Sequence, residues 1–235
     1  MASLNILHLY PNTLHLNGEA GNVLALKRRA ELAGFKVLVK FAEIGETLPK
    51  VRPHLVFIGS GTSQATLTAA EHIIKFDREL HGWVKQGTKV LAVGTGFDLI
   101  SQGLILPDGT TVNGLGMTNT THRVTGNHLV GEVVVDADFA GFINSDREII
   151  RGDDAFALGR VQRSDEVSLV GYLDGYSDGK VWATNVQGPF LPMNPSFADE
   201  ILAAIFPTYV NTDSSRTLDS LAAKARKAIS IRVGN

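Results

Sequence analysis

The strongest constraint on this chain is an alternation of two periodicities over residues 1 to 102. Apolar runs of strand type, Leu4 to Leu9, Lys36 to Phe41, Leu55 to Ile58 and Lys89 to Val93, are separated by stripes at helical spacing. Val23, Leu26, Ala30 and Ala33 recur three and four residues apart, so they share one helix face, with Lys27, Arg28, Arg29 and Glu31 around the rest. Gly34 is suited to end that helix, because glycine tolerates the left-handed conformation after a C-terminus. A second stripe, Leu67, Ala70, Ile73, Phe76, Leu80 and Val84, reads as one more helix. Strand and helix alternating in this way predict an α/β fold of three layers, a parallel sheet with helices on both faces.

From residue 103 to 190 the pattern changes to glycine-rich, short β-type segments. Val133 to Val135, Val167 to Val170 and Val181 to Asn185 read as strands of an extension with antiparallel edges. Pro195 and Ser196 then open a helix, with Ser196 and Asp199 spaced as a capping box and Ile201, Leu202 and Ile205 as its apolar face. Asn211 to Arg216 reads as a linker before a last amphipathic helix striped by Leu218, Leu221, Ala222, Ala225 and Ile229. The expected division is a main domain over 1–206 and a linker with C-terminal helix over 207–235. Whether that helix packs on its own domain or on a partner is open at this level.

Composition narrows function by exclusion. Charged residues make up 20% of the chain and its formal net charge is -2, with no clustered positive footprint for nucleic acid. No apolar run approaches the ~20 residues of a spanning helix, so no membrane insertion is expected. Met1 to Leu4 lacks a basic region followed by a hydrophobic stretch, and a cytoplasmic location is the expectation. The chain has no cysteine, which excludes disulfides and thiolate metal sites. None of the seven histidines has metal-ligand spacing, and no metal or cofactor is expected.

In an open parallel sheet, ligands bind beyond the carboxyl ends of the strands, so the glycine-rich turns after Ile58 and Val93 are the places to look. Gly59-Ser60-Gly61 is either an anion cradle of backbone N–H groups or a plain turn. Val93-Gly94-Thr95-Gly96-Phe97 has the strand-turn-helix form of a nucleophile elbow, with a hydrogen atom where the nucleophile would project.

These two turns stand in a longer series: Glu19 with Gly21-Asn22, Leu106-Pro107-Asp108-Gly109, Gly114-Leu115-Gly116, Arg123 with Thr125-Gly126, and Gly188-Pro189-Phe190-Leu191-Pro192. Their order and spacing over residues 4 to 206 resemble the GatD-like members of the cobyric acid synthase-like branch of class I glutamine amidotransferases, the glutaminase subunits of lipid II isoglutaminyl synthase. In that family an elbow cysteine attacks the glutamine side-chain amide and a histidine just before Gly-Pro activates it. By resemblance the matching positions are Gly94 and Gln187. Glycine carries no nucleophile and an amide is not a useful base at neutral pH. The family's glycine-rich loop appears here with Ser60, and its Gly-Phe-Glu-Asn-His segment as Gly141-Phe142-Ile143-Asn144-Ser145, drift that favours natural degeneracy.

The resemblance therefore implies a catalytically silent, GatD-like pseudoenzyme. Its implied partner is a Mur ligase-like subunit, MurT in the family, and its implied context is amidation of peptidoglycan lipid II. An alternative reading makes it a binding module for an amino-acid-like small molecule, with Gly59, Ser60, Gly61, Thr95 and Arg123 as the ligand-binding candidates. A third reading keeps an enzyme through a Ser60 or Thr95 hydroxyl, although neither has an evident base. Arg123 is a candidate for an anionic ligand or partner, or else an ordinary surface ion pair.

Overall fold

A computed structural model describes residues 2–136 and 139–234. The chain runs β1 (Ser3–Leu9), α1 (Ala20–Leu32), β2 (Lys36–Ala42), β3 (Leu55–Ile58), α2 (Ser63–Ile73), α3 (Asp77–Lys85), β4 (Lys89–Val93) and α4 (Gly96–Ile100). Then come β5 (Gly103–Ile105), β6 (Thr111–Asn113), β7 (Thr120–Val135), β8 (Phe139–Arg151), β9 (Gly159–Ser164), β10 (Leu173–Asp174), β11 (Tyr176–Ser177), β12 (Val181–Thr184) and β13 (Val186–Gln187). Three helices close it: α5 (Phe190–Met193), α6 (Pro195–Ile205) and α7 (Arg216–Arg232).

The main sheet has the order β11-β12-β4-β3-β1-β2, parallel except for β11. Side chains along its central strands alternate between two cores. Leu4, Ile6, Leu55, Phe57, Leu91 and Val93 pack toward α1 and α6, with Val23, Leu26, Phe197 and Ile201. Leu7, Leu9, Val56, Ile58, Val90 and Ala92 face the opposite side, with Ala70, Ile73, Leu80 and Phe97 from α2, α3 and α4. Period-two alternation within runs that are apolar throughout is what a strand buried on both faces requires. The three-layer α/β class expected from the alternation is therefore the class observed.

The antiparallel part is larger than short segments predict. β7 and β8 form one long hairpin ladder, broken in register between Val124 and Leu129, in a second sheet with β5, β6, β9, β10 and β13. Among the described residues, only β11 extends the main sheet in the antiparallel sense. Three local expectations are corrected. The stripe from Leu67 to Val84 is two helices, α2 and α3, separated by a tight turn at Ile74–Phe76, and Asp77 and Glu79 give the second its own acidic first turn. Val167 to Val170 is not a strand: Val167–Leu169 forms a 3-10 turn, capped by the Glu166 carboxylate accepting the Ser168 N–H at 2.9 Å. Ser196 does not cap α6. Asn194 stands at that N-cap, with Pro195 first in the helix, while Asp199 is drawn to Arg29.

Candidate functional site

The turns after β3 and β4 lie side by side because their strands are adjacent and parallel. At the second turn the chain passes from β4 through Gly94 and Thr95 directly into α4, with the Gly94 N–H donating to Thr184 O at 2.8 Å. Gly94 has φ +57°, the left-handed conformation that an elbow needs and that glycine adopts without strain. A Cβ added there would lie 2.7 Å from Ser60 Cβ, closer still to Ser60 Oγ, and 3.2 Å from Gln187 Cδ. Ser60 thus occupies the space into which a side chain at position 94 would project.

The neighbouring donors and acceptors are spent on one another. The Thr95 N–H, which follows the elbow residue, donates to Ser60 Oγ at 3.2 Å. Gly61 N–H donates to Thr95 Oγ1 at 2.9 Å, and Thr66 Oγ1 donates to the same oxygen at 2.8 Å. An elbow site stabilises an oxyanion with the N–H after the nucleophile, and here that N–H is already engaged. Gln187, 2% exposed, is a clamp: its Oε1 accepts from Asn17 Nδ2 and its Nε2 donates to Asn144 O at 3.3 Å. It joins the loop before α1 to β8. No base stands within hydrogen-bonding distance of Ser60 Oγ or Thr95 Oγ1 among the described residues, which leaves the substitute-nucleophile reading without a proton acceptor.

Above Gly94 is a cavity of about 180 Å³, lined by Ser60, Gly61, Thr95 and Gln187 among others. Gly59 lies behind this wall, packed on Leu14 O and the Glu19 side chain. Arg123 does not line the cavity: it is half-exposed on β7, with Nη1 2.8 Å from Glu148 Oε2. The arginine at the cavity is Arg147, which sequence reasoning passed over. It is 8% exposed, donates from Nε to Asp98 Oδ2 at 2.9 Å and pairs through Nη1 with Asp146. Asp98 in turn meets His122 Nδ1 at 2.6 Å, so α4, β7 and β8 are tied by one buried charged cluster. The segment Asn144-Ser145-Asp146-Arg147, all of it cavity-lining, overlaps and follows the Gly141 to Ser145 motif, the one signal that could have found Arg147.

Beneath the first turn is Glu19, 1% exposed, with Oε1 unpartnered. Burial pushes its pKa up to about 8, against the smaller opposing pull of the Ser60 and Asn17 backbone N–H groups. Asn22, also fully buried, accepts the Leu191 N–H at 2.8 Å and so holds the turn that carries Gln187 against α1.

With this geometry in view, comparison with known proteins is informative. Residues 5–195 match the model of the CobB/CobQ-like glutamine amidotransferase domain. The glutamine-hydrolyzing lipid II isoglutaminyl synthase subunit GatD of Streptococcus pneumoniae is 27% identical over 201 residues, which covers 83% of this chain and 77% of that one. Its counterpart from Staphylococcus aureus is 28% identical over 215 residues, 86% of this chain and 84% of that one. A solved glutamine amidotransferase structure aligns over 92% of this chain and 98% of its own, at 14% identity and a TM-score of 0.46.

Proposed function

Since this chain belongs to the CobB/CobQ-like glutamine amidotransferase domain family, we propose that it is a catalytically silent member. In this reading it retains the scaffold as a subunit beside a Mur ligase-like partner in the amidation of lipid II. What supports silence is one observation: the elbow position is Gly94, and Ser60 Oγ stands in the space a nucleophile would need. Gln187, matched by resemblance to the base, is used as a clamp instead. Loss of a triad nucleophile costs about 10⁶-fold in the best-studied case. What supports the context is that the two curated relatives above carry the name of the lipid II enzyme's GatD subunit.

The test is ammonia release from glutamine by the purified chain, alone and with a Mur ligase-like protein from the same organism. No release above buffer, together with a stable complex, is the expected result. Turnover that scales with the amount of protein overturns silence, and failure to form a complex at micromolar concentration overturns the subunit reading.

A second reading rests on the cavity itself. Arg147 and Asp146 line one wall, with Asn17, Asn144 and Asn185 close by, a set that suits a zwitterion the size of an amino acid. A rise in Tm with an amino acid is its signature, and a flat response to all of them removes it.

A further inference from the structure

An open groove of about 510 Å³ lies away from the cavity, between α1 and α7, with α5 as its floor. α7 stands outside the family match, which ends at residue 195, so the family assignment leaves half of this groove unexplained. α7 is fastened on three sides. Ala222 and Ile229 are buried, Asp219 Oδ1 accepts from Arg29 Nη1 at 2.6 Å, and Arg226 donates to Met193 O at 2.8 Å. Yet three leucines around the groove remain open to solvent, Leu24 at 61%, Leu221 at 58% and Leu218 at 42%. A contiguous apolar face left open on a fastened helix pair marks an interaction surface.

Charge selects the occupant. The groove is lined by two charged residues, both arginines. Arg29 is neutralised by Asp199 and Asp219, whereas Arg28 is exposed and makes no ion pair among the described residues. Lys224, three residues beyond Leu221 on α7, is likewise exposed and unpaired among them. The nearby acids are used: Asp219 by Arg29 and Glu31 by Lys27. A second copy of this chain is a poor partner. Arg216 and Arg232 of α7 are paired with Asp213 and Glu132, but a two-fold contact between grooves brings Arg28 and Lys224, which make no ion pair among the described residues, against their own copies. A flat lipid surface is a poor one too, since the small residues of the two walls, Gly21, Ala25, Ala222 and Ala225, lie in a concavity.

We propose that the groove between α1 and α7 docks an acidic amphipathic helix of another protein, its leucine-like stripe on Leu24, Leu218 and Leu221 and its carboxylates toward Arg28 and Lys224. This does not depend on whether the elbow is silent or on which protein is bound. The test uses the full chain and two labelled synthetic helices with leucines at i, i+3, i+4 and i+7, one with glutamates on its flanks and one with lysines in their place. Fluorescence anisotropy is expected to saturate with the acidic helix at least tenfold more tightly than with the basic one. Leu221→Asp, at an exposed site that leaves the circular dichroism spectrum unchanged, is expected to weaken it tenfold or more. The pair Arg28→Glu and Lys224→Glu is expected to reverse the preference. Equal binding of both helices, no binding at millimolar peptide, indifference to Leu221→Asp, tighter binding to anionic phospholipid vesicles, or a dimer abolished by Leu221→Asp each overturns the proposal.

Discussion

At the scale of single residues, the elbow is a packing arrangement between Gly94 and Ser60. Gly94→Cys has to place a side chain at φ +57° against Ser60, so it is expected to destabilise by about 1 to 3 kcal/mol from backbone strain and crowding together. Adding Ser60→Gly removes the crowding and leaves the strain. A double-mutant cycle by urea denaturation should therefore show positive coupling, and simple additivity would mean that Ser60 is not the obstruction. Glu19 gives a second expectation at this scale. Its carboxyl is raised in the folded state, from the ordinary 4.5 to about 8, so the folded chain holds a proton that the unfolded chain releases. Stability attributable to Glu19 is complete below about pH 4.5 and declines as pH rises toward 8. Glu19→Gln should flatten that decline; a variant with the same slope between pH 5 and 8 refutes the assignment. Gly94 and Gln187 could be named from the order of motifs, but Ser60 as an obstruction could not, because its role is a distance across 34 positions of chain.

Among elements, the hairpin of β7 and β8 is held to the elbow helix by charge rather than by apolar packing alone. Asp98 on α4, His122 on β7 and Arg147 on β8 are all buried, and each satisfies part of another. Removing one member leaves an uncompensated buried partner. Arg147→Met is expected to cost about 3 to 5 kcal/mol, measured by urea denaturation, with little change in the far-ultraviolet spectrum. A cost under about 1 kcal/mol would mean the cluster is solvated in the native state. The pair Arg123 and Glu148 on the same hairpin is a control. Both are half-exposed, so Arg123→Ala should cost less than about 1 kcal/mol. The order of motifs singled out Arg123 and passed over Arg147, because burial and ion pairing depend on what the fold brings beside each.

For the molecule as a whole, the two sheets are threaded through each other. The chain leaves the main sheet after β4, builds most of the second sheet, returns for β11 and β12, then gives β13 to β8. Core residues of the second sheet, Val133, Val135, Ile143 and Val161, belong to the same cluster as Leu4, Phe57 and Trp182. One cooperative transition is therefore expected, with near- and far-ultraviolet circular dichroism superimposing in urea; two separated transitions would show that the second sheet unfolds alone. By itself the sequence determined the three-layer class, the strands β1 to β4, the two turns at their carboxyl ends and the absence of a thiol. Those follow from periodicity and residue type, which are local properties of the chain. Tertiary structure alone decided that Ser60 fills the space above Gly94, that Gln187 bridges Asn17 and Asn144, and that Arg147 rather than Arg123 lines the cavity. It also decided that α7 leaves its leucines open beside α1. Each of these is a contact between segments distant in sequence, 170 positions apart for Asn17 and Gln187, and no local pattern encodes which distant side chain will arrive.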